Sequence, residues 1–283
     1  MDGVAASMVV DPGQGVNGRR FYKMSGSGND FVVFDSRDGP MRELEAPDTI
    51  RRLCDRRRGV GGDGVVLVEP STKADVLMKY FNSDGSRGAM CGNAALCVTR
   101  LASCLGLAAE SGMTIETDDG IVRARMVGDR PEIELQPVRS VQETAGGRPA
   151  AGERRLGYAV AGVPHIVVLC DEVTRVDVAQ RGAALRTAEW TMPDGANVNF
   201  VSGHAGQWAI RTFERGVEAE TLACGTGAVA TAALLRAWGL SDSATALRTR
   251  SGCVLEVTLR DENDVMVPRL RGEGVVVFEG RLA

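Results

Sequence analysis

An internal repeat constrains the fold of this chain more than any other feature of its sequence. The segment MCGNAA at residues 90–95 resembles ACGTGA at residues 223–228, which places Cys91 and Cys224 133 positions apart. Each segment leads into a run rich in Ala and Leu that ends in Gly-Leu, at residues 106–107 and 239–240, with the same offset. Several matches in one order, spaced at about half of the 283 residues, predict two copies of one domain.

Short β-rich runs separated by Gly and Asp turns predict that strands outnumber helices. Strands are predicted over residues 31–35, 64–69, 76–81, 113–117, 121–126 and 132–135, and then over 158–160, 166–169, 197–201, 208–213, 254–259 and 275–279. Helical spacing predicts helices over residues 47–57, 94–105 and 228–238, the first with Asp48 as its N-cap.

The domain boundaries follow from the positions of the two copies. Residues 1–19 are small, polar and rich in Gly, and we expect a disordered extension there. The first domain is predicted over residues 20–138 and the second over residues 139–273, with the polar stretch 142–155 as the link. A last strand near residues 274–283 is expected to pack back onto the first domain.

The charge balance and the cysteines exclude several classes of protein. With 33 Lys and Arg against 37 Asp and Glu, and no basic block longer than residues 56–58, the chain is not expected to bind nucleic acid. Charged residues interrupt every apolar stretch, so no membrane-spanning helix is predicted. No export signal is recognisable and the seven Cys include no C-x-x-C pair, so we expect a cytoplasmic protein with free thiols and no metal site.

Cys91 and Cys224 differ from the other cysteines because each precedes a Gly where a loop becomes a helix. Unpaired backbone N–H groups and the helix dipole lower the pKa of a thiol at such a position, so both thiols are predicted to be reactive. The same N–H groups can hold a carboxylate, which Gly92 and Gly225 allow to approach closely. Two such helix starts facing one cleft suit inversion at a tetrahedral carbon. One thiolate removes an α-proton, the opposing thiol delivers a proton, and no metal, flavin or pyridoxal phosphate is needed.

Polar residues near the Cys-Gly segments are candidates for binding an amino acid. Glu214 can take an ammonium group and Arg215 can hold a carboxylate through two hydrogen bonds, although the two also fit a surface ion pair at a strand end. His165 can tune a thiol or be structural. The G-x-G-x-x-G pattern at residues 59–64 follows a helix and enters a strand, the reverse of a dinucleotide-binding motif, so no nucleotide cofactor is predicted.

From about Phe21 to its C-terminus, the chain resembles the diaminopimelate epimerase family. The motifs that carry the resemblance are residues 23–24, 26–31, 59–64, 81–82, 84–85, 91–93, 164–165, 197, 214–216, 220–221 and 223–227. It implies an α+β fold of two pseudo-symmetric duplicated domains, each a curved mixed β-sheet around a central helix, with the active site between them. It also implies a cytoplasmic homodimer that converts LL-diaminopimelate to meso-diaminopimelate without a cofactor, for lysine and peptidoglycan precursor synthesis.

The resemblance also implies roles for individual residues. Cys91 and Cys224 match the acid/base pair, and His165 and Glu214 match positions that support the thiols. Substrate-binding positions are matched by Asn29, Asn82, Gly92, Asn93, Asn197, Glu214, Arg215, Gly225 and Thr226. Two departures concern the distal end of the substrate, because Val163 stands where many members have Asn and Gly64 where some have Gln. Each departure removes a possible hydrogen bond to the substrate.

Two other functions remain open at the level of the sequence. An amino-acid racemase of the same fold would act on another side chain, such as that of histidine. A redox-sensing dithiol protein would close a disulfide between Cys91 and Cys224 on oxidation. The redox function leaves the Asn, Glu and Arg positions unexplained.

Overall fold

Two halves of the chain repeat one order of elements in this computed structural model, which describes residues 16–37, 39, 41–204, 206–263 and 265–283. The first half comprises β1 (Arg20–Gly26), β2 (Asn29–Asp35), α1 (Pro47–Cys54), β3 (Gly64–Glu69), β4 (Val76–Asn82), β5 (Arg87–Gly88), α2 (Gly92–Cys104), β6 (Met113–Thr117), β7 (Gly120–Val127), β8 (Arg130–Glu134) and β9 (Arg139–Gln142). The second half comprises β10 (Glu153–Ala161), β11 (Val163–Cys170), α3 (Val178–Arg186), β12 (Asn197–His204), β13 (Gln207–Glu214), β14 (Ala219–Thr221), α4 (Gly225–Ala237), β15 (Ala244–Arg248), β16 (Val254–Glu262), β17 (Val265–Arg271) and β18 (Val275–Arg281).

Strand pairing shows the duplication directly. In the first half, β1 pairs antiparallel with β2, β2 parallel with β3, β3 antiparallel with β4, and β4 parallel with β6. The second half repeats this series with β10, β11, β12, β13 and β15. The strand that ends each half pairs with the strand that begins the other, β9 with β10 and β18 with β1. The predicted α+β fold of two duplicated domains is confirmed.

Each half curves around one central, mostly apolar helix. α2 contacts β1, β4, β7 and β8, and α4 contacts β10, β11, β12 and β16. Residues 92–99 of α2 and residues 227–235 of α4 are all buried. Since a helix that is apolar all round must be enclosed, both helices lie in one hydrophobic core with the inner faces of the strands. The N-terminal ends of the two helices meet where the halves meet.

The outer helices cover the opposite faces and differ from the prediction. α1 packs Ile50 and Leu53 on its side of the first half, and its N-cap is Ala46, so the prediction of Asp48 as N-cap is wrong. The helix ends before residue 57 because the Asp55 carboxylate accepts hydrogen bonds from the next backbone N–H groups, in competition with helical ones. α3 was not predicted, since its Ala, Gly and Arg residues give weak helical periodicity; Asp177 caps it by accepting from Gln180 N at 3.0 Å.

The structure adds detail at the ends of the two halves. Of the expected disordered extension, residues 1–15 lie outside the described residues, whereas Val16 is buried and Gly18 N donates to Leu282 O at 2.7 Å. Strands β9 and β10 shorten the polar link to residues 143–152. None of the helices in the described ranges is long and apolar enough to cross a membrane.

Candidate active site

Cys91 and Cys224 are the N-cap residues of the two central helices. Their backbone conformations are nearly the same, with φ −137° and ψ 119° at Cys91 and φ −131° and ψ 112° at Cys224. Cys224 Sγ accepts a hydrogen bond from Gly227 N at 3.4 Å and lies 3.5 Å from Thr226 Oγ1. Both thiols are free, and the two copies of the repeated segment thus present one thiol each at equivalent positions.

The two helix starts touch each other. A Cβ atom added at Gly225 would lie 3.9 Å from the Cα of Gly92, 3.8 Å from Asn93 Oδ1 and only 2.8 Å from a methyl group of Leu270. A larger residue at position 225 would therefore contact the start of α2 and displace the Leu270 side chain. Because helix N-termini carry unpaired N–H groups, this convergence concentrates hydrogen-bond donors and positive potential in one place. An anion such as a carboxylate is the group that suits it.

Burial, and not the helix start, dominates the pKa of both thiols. Desolvation raises the pKa of Cys91 to about 11 and that of Cys224 to about 12, and the nearby Glu214 carboxylate raises both further. The N–H groups of Asn93 and Ala94 beside Cys91 favour the thiolate but offset only part of the burial. The lowered thiol pKa predicted from the sequence is therefore wrong, since the cap position is visible in a sequence and desolvation is not. Both groups are protonated thiols at neutral pH in this conformation.

The raised pKa values predict how the thiols react. We expect the alkylation of Cys91 and Cys224 by iodoacetamide to be slow at pH 7 and to accelerate about tenfold per pH unit until the pH reaches the raised pKa of each thiol, because only the thiolate is nucleophilic. Peptide mass mapping of each cysteine against pH measures this, with the exposed Cys104 as an internal control. Rapid alkylation of either of these half-buried thiols at pH 7, faster than that of Cys104, would contradict the direction of the pKa shift.

Glu214 and Arg215 lie together at the end of β13 but do different things. The Glu214 side chain is mostly buried, which raises its pKa, and its charge acts on both thiols. Arg215 N donates to Asn197 Oδ1 at 2.7 Å and Arg215 Nη1 donates to Asp194 O at 2.9 Å. Among the described residues no ion pair joins Glu214 to Arg215, so the alternative of a surface pair between them is not observed. Glu214 is instead a half-buried carboxyl group whose charge, when it is ionised, raises the pKa of both thiols.

A chain of amide hydrogen bonds holds the first half against the second. Asn93 Nδ2 donates to Asn29 Oδ1 at 2.7 Å and reaches Ala223 O, directly before Cys224, at 3.4 Å. Asn29 Nδ2 donates to Asp63 Oδ2 at 3.0 Å, and Arg56 Nη2 donates to Asp63 Oδ1 at 2.7 Å. Asp63 thereby fixes the orientation of the Asn29 amide. The sequence analysis missed Asp63, although it is the one acidic residue of the glycine pattern at residues 59–64.

His165 lies inside the second half, near the start of α4. Its side chain is fully buried and its Nδ1 lies 3.1 Å from Asn199 Nδ2. Burial lowers the pKa of His165 to about 3, so the imidazole is neutral. Asn199 Oδ1 also lies where a Cβ at Gly227 would clash, at 2.2 Å, which links His165 through Asn199 to the helix that Cys224 caps. Asn199, which the sequence analysis missed, is on the same face of β12 as Asn197 and could have been found by that alternation.

The remaining predicted positions lie at the edges of this region. Asn82 ends β4 opposite Gly64, and its Nδ2 donates to Ser86 Oγ at 3.0 Å. Val163 begins β11, half-buried and two residues before His165. Gly64 has no room for a side chain, because a Cβ there would lie 2.5 Å from Phe81 O. The packing of the first half therefore requires Gly at position 64, where some family members have Gln.

Comparison with known proteins gives one family. The family model described as diaminopimelate epimerase matches residues 21–140 and 157–274. A diaminopimelate epimerase of Gemmatimonas aurantiaca is 50% identical over 274 residues, covering 93% of this chain and 99% of that protein. One of Aquifex aeolicus is 38% identical over 276 residues, covering 93% and 97%.

Solved structures share the fold at low sequence identity. A PhzF-family phenazine biosynthesis protein of Bacillus anthracis matches with a TM-score of 0.72 and 16% identity, over 94% of this chain and 99% of that one. A probable proline racemase of Agrobacterium radiobacter matches with a TM-score of 0.67 and 21% identity, over 94% and 93%. The family match spans both halves of the repeat, including both Cys-Gly helix starts, and the chain therefore belongs to the diaminopimelate epimerase family of isomerases.

Proposed function

We propose that this protein interconverts LL- and meso-diaminopimelate without a cofactor, with Cys91 and Cys224 as acid and base. The observation that carries the proposal is the pair of free thiols that cap two touching helix starts. Family membership supports the substrate, since the relatives that match over nearly the whole chain are named for it. We also propose, as the family resemblance implies, that the reaction serves lysine and peptidoglycan precursor synthesis in the cytoplasm.

The proposed reaction moves one proton on each side of the α-carbon. The thiolate of one cysteine removes the α-proton, and the electron pair spreads into the substrate carboxylate at the two helix N-termini, where positive potential stabilises it. The thiol of the other cysteine then gives its proton to the opposite face. The first cysteine ends as a thiol and the second as a thiolate, so the enzyme is left ready for the reverse direction. Because both thiols have a raised pKa, one of them must first release its proton to solvent, and each turnover then returns one thiol and one thiolate with the roles of the cysteines exchanged.

The substrate assignment is tested by incubating the purified protein with LL-diaminopimelate and separating the stereoisomers by chiral chromatography. We expect meso-diaminopimelate to accumulate to the equilibrium ratio under reducing conditions. Parallel incubations with lysine, glutamate and histidine supply the comparison. Faster racemisation of histidine, or of another amino acid with one stereocentre, would replace this proposal with a racemase of the same fold.

Arg215 is proposed to hold a substrate carboxylate through its planar guanidinium. We expect Arg215→Lys to raise the KM for LL-diaminopimelate about 10- to 100-fold with a smaller loss of kcat, because an ammonium cannot make the paired hydrogen bonds. Steady-state kinetics measure this change, with Arg186→Lys, whose side chain pairs with Glu218, as the control. An unchanged kcat/KM in Arg215→Lys would mean that the side chain only ties the loop to Asp194 O.

Val163 is proposed to weaken recognition of the distal end of the substrate. We expect Val163→Asn to increase the preference for diaminopimelate over lysine, by up to about tenfold in the ratio of kcat/KM values, because a polar contact is restored. Val160→Asn, three residues earlier on β10, is the comparison for an added amide elsewhere in the same hairpin. If Val163→Asn leaves the ratio of kcat/KM values unchanged, position 163 does not face the substrate.

We also propose that the protein is a homodimer, as family membership suggests. The supporting observation is β18, which pairs with β1 and leaves Val275, Val277 and Phe278 between 47% and 56% exposed. Contiguous exposed apolar residues on a strand are typical of an interface. Sedimentation velocity is expected to give a dimer for the native chain and a monomer for Phe278→Asp. A native monomer at micromolar concentration would overturn this part of the proposal.

A further inference from the structure

The ring of Tyr80 fills a slot between two glycines at the edge of the active site. A Cβ added at Gly64 would lie 2.7 Å from Tyr80 Cε2 and 3.4 Å from its Cζ, and a Cβ at Gly88 would lie 2.7 Å from Cδ1 and 2.9 Å from Cε1. The Phe31 ring packs edge-on against the same ring, with centroids 6.1 Å apart. The glycines on β3 and β5 therefore leave room for the Tyr80 ring, and Phe31 on β2 packs against it.

The direction of the slot brings the ring toward the active-site end of the sheet. Tyr80 and Asn82 share the face of β4 that packs against the core around α2. Tyr80 pairs with Val66 and Gly88, whereas Gly64 pairs with Asn82, one step nearer the active site. The ring atoms Cε2 and Cζ of Tyr80 lie next to Gly64, and Gly64 is opposite Asn82. The ring therefore leans along β4 toward Asn82. A side chain at position 64 would occupy the space that this end of Tyr80 fills.

The hydroxyl of Tyr80 is chemically available there. It makes no hydrogen bond to any other described residue, although most of the ring is enclosed. Burial raises the pKa of Tyr80 well above its usual range, and the nearby Glu214 and Asp63 carboxylates raise it further, so the group is a neutral phenol and can donate a hydrogen bond. The helix starts take one carboxylate of a diaminopimelate molecule. The distal carboxylate, for which Arg215 is one proposed partner, can accept further hydrogen bonds, and Tyr80 lies on the same face of β4 as Asn82, from which it can donate one.

We propose that the Tyr80 hydroxyl binds the distal carboxylate of the substrate, in place of a side chain at position 64, and so sets the preference for a substrate with two amino-acid centres. The inference rests on the proposed function and extends it to a residue that the family motifs do not include. It also explains how the first half recognises the distal end although Gly64 carries no side chain.

The test is Tyr80→Phe, which keeps the ring in its slot and removes only the hydroxyl. The variant is compared with native protein for kcat and KM on LL-diaminopimelate, and for inhibition by two competitive ligands. L-2-Aminopimelate keeps the distal carboxylate and lacks the distal ammonium, and lysine has the opposite pattern. Tyr22→Phe, the same chemical change at a buried residue of β1 outside the slot, is the matched control.

We expect Tyr80→Phe to weaken diaminopimelate and aminopimelate about 10- to 100-fold, as KM and as inhibition constant, and to leave lysine within about twofold. Native kcat is expected to be largely kept, and Tyr22→Phe is expected to match native protein in every constant. Equal weakening of lysine, a loss confined to kcat, or no change at all would each overturn the inference while native activity still supports the proposed function. Absence of epimerisation by native protein would instead overturn the proposed function itself.

Discussion

Replacing either Cys91 or Cys224 with alanine is expected to abolish epimerisation, lowering kcat by about 1,000-fold or more in both directions. Each thiol serves one face of the α-carbon, and a positioned acid or base contributes on the order of 100- to 10,000-fold by itself. Because the two cysteines cap separate helices, each is proposed to serve its own face. Chiral separation of the products from each stereoisomer measures the loss, and Cys104→Ala, which removes an exposed thiol, is the control.

Serine variants separate the two half-reactions. Cys91→Ser and Cys224→Ser are expected to be nearly as damaging for epimerisation, because a hydroxyl is a far weaker acid than a thiol. Elimination of halide from a halogenated substrate analogue needs only one base, so we expect one Ser variant to retain it for each stereoisomer. A single alanine variant that interconverts the isomers at a rate close to the native one would refute the two-base mechanism.

Glu214→Gln is expected to lower kcat/KM by about 100- to 1,000-fold, mainly through KM. The change is nearly isosteric, but we propose that Glu214 pairs with the substrate ammonium, which would then lose its anionic partner, and loss of one member of a desolvated charged pair is costly. Glu218→Gln, an exposed position four residues later that pairs with Arg186, is the matched control. Native KM in Glu214→Gln would show that another group holds the ammonium.

The pH dependence gives Glu214 a second signature. Burial raises the pKa of Glu214, and only its ionised form attracts an ammonium, so kcat/KM of native protein should fall as the pH drops through that raised value. In Glu214→Gln this acidic limb should be absent. The same variant should also alkylate faster at Cys91 and Cys224 at a given pH, because the Glu214 charge raises the pKa of both thiols. Alkylation rates that do not change would place Glu214 too far from the thiols to act on them.

The architecture was predictable because the sequence contains two copies of the same pattern. The Cys-Gly segments and the runs that follow them located both central helices within three residues of their observed starts. The elements that were not predicted, such as β17 and α3, have weak local sequence signals. β17 contains Pro268, which argues against a strand between two others, yet β17 pairs with β16 and with β8. α3 is short and its apolar residues are few, so its burial against the second half comes from tertiary contacts.

In the candidate active site, too, the features encoded by local sequence were predictable and those made by long-range contacts were not. The capping positions of Cys91 and Cys224 follow from local sequence, and the structure places both there. The pKa of the thiols, the hold of Asp63 on Asn29 and the slot around Tyr80 depend on residues brought together from separate strands. Desolvation and such long-range contacts leave no trace in local spacing. Predictions from sequence alone are therefore wrong or missing for the features that depend on desolvation and long-range contacts.

Epimerisation of LL-diaminopimelate in heavy water tests the two-base account most directly. Samples taken well before equilibrium are separated into stereoisomers, and the α-positions are analysed by NMR. If one cysteine removes the proton and the other supplies a solvent-derived one, new meso-diaminopimelate carries deuterium at the inverted carbon while recovered LL-diaminopimelate keeps its proton. Deuterium entering recovered LL-diaminopimelate as fast as the meso product would show that one base serves both faces, and would contradict the account.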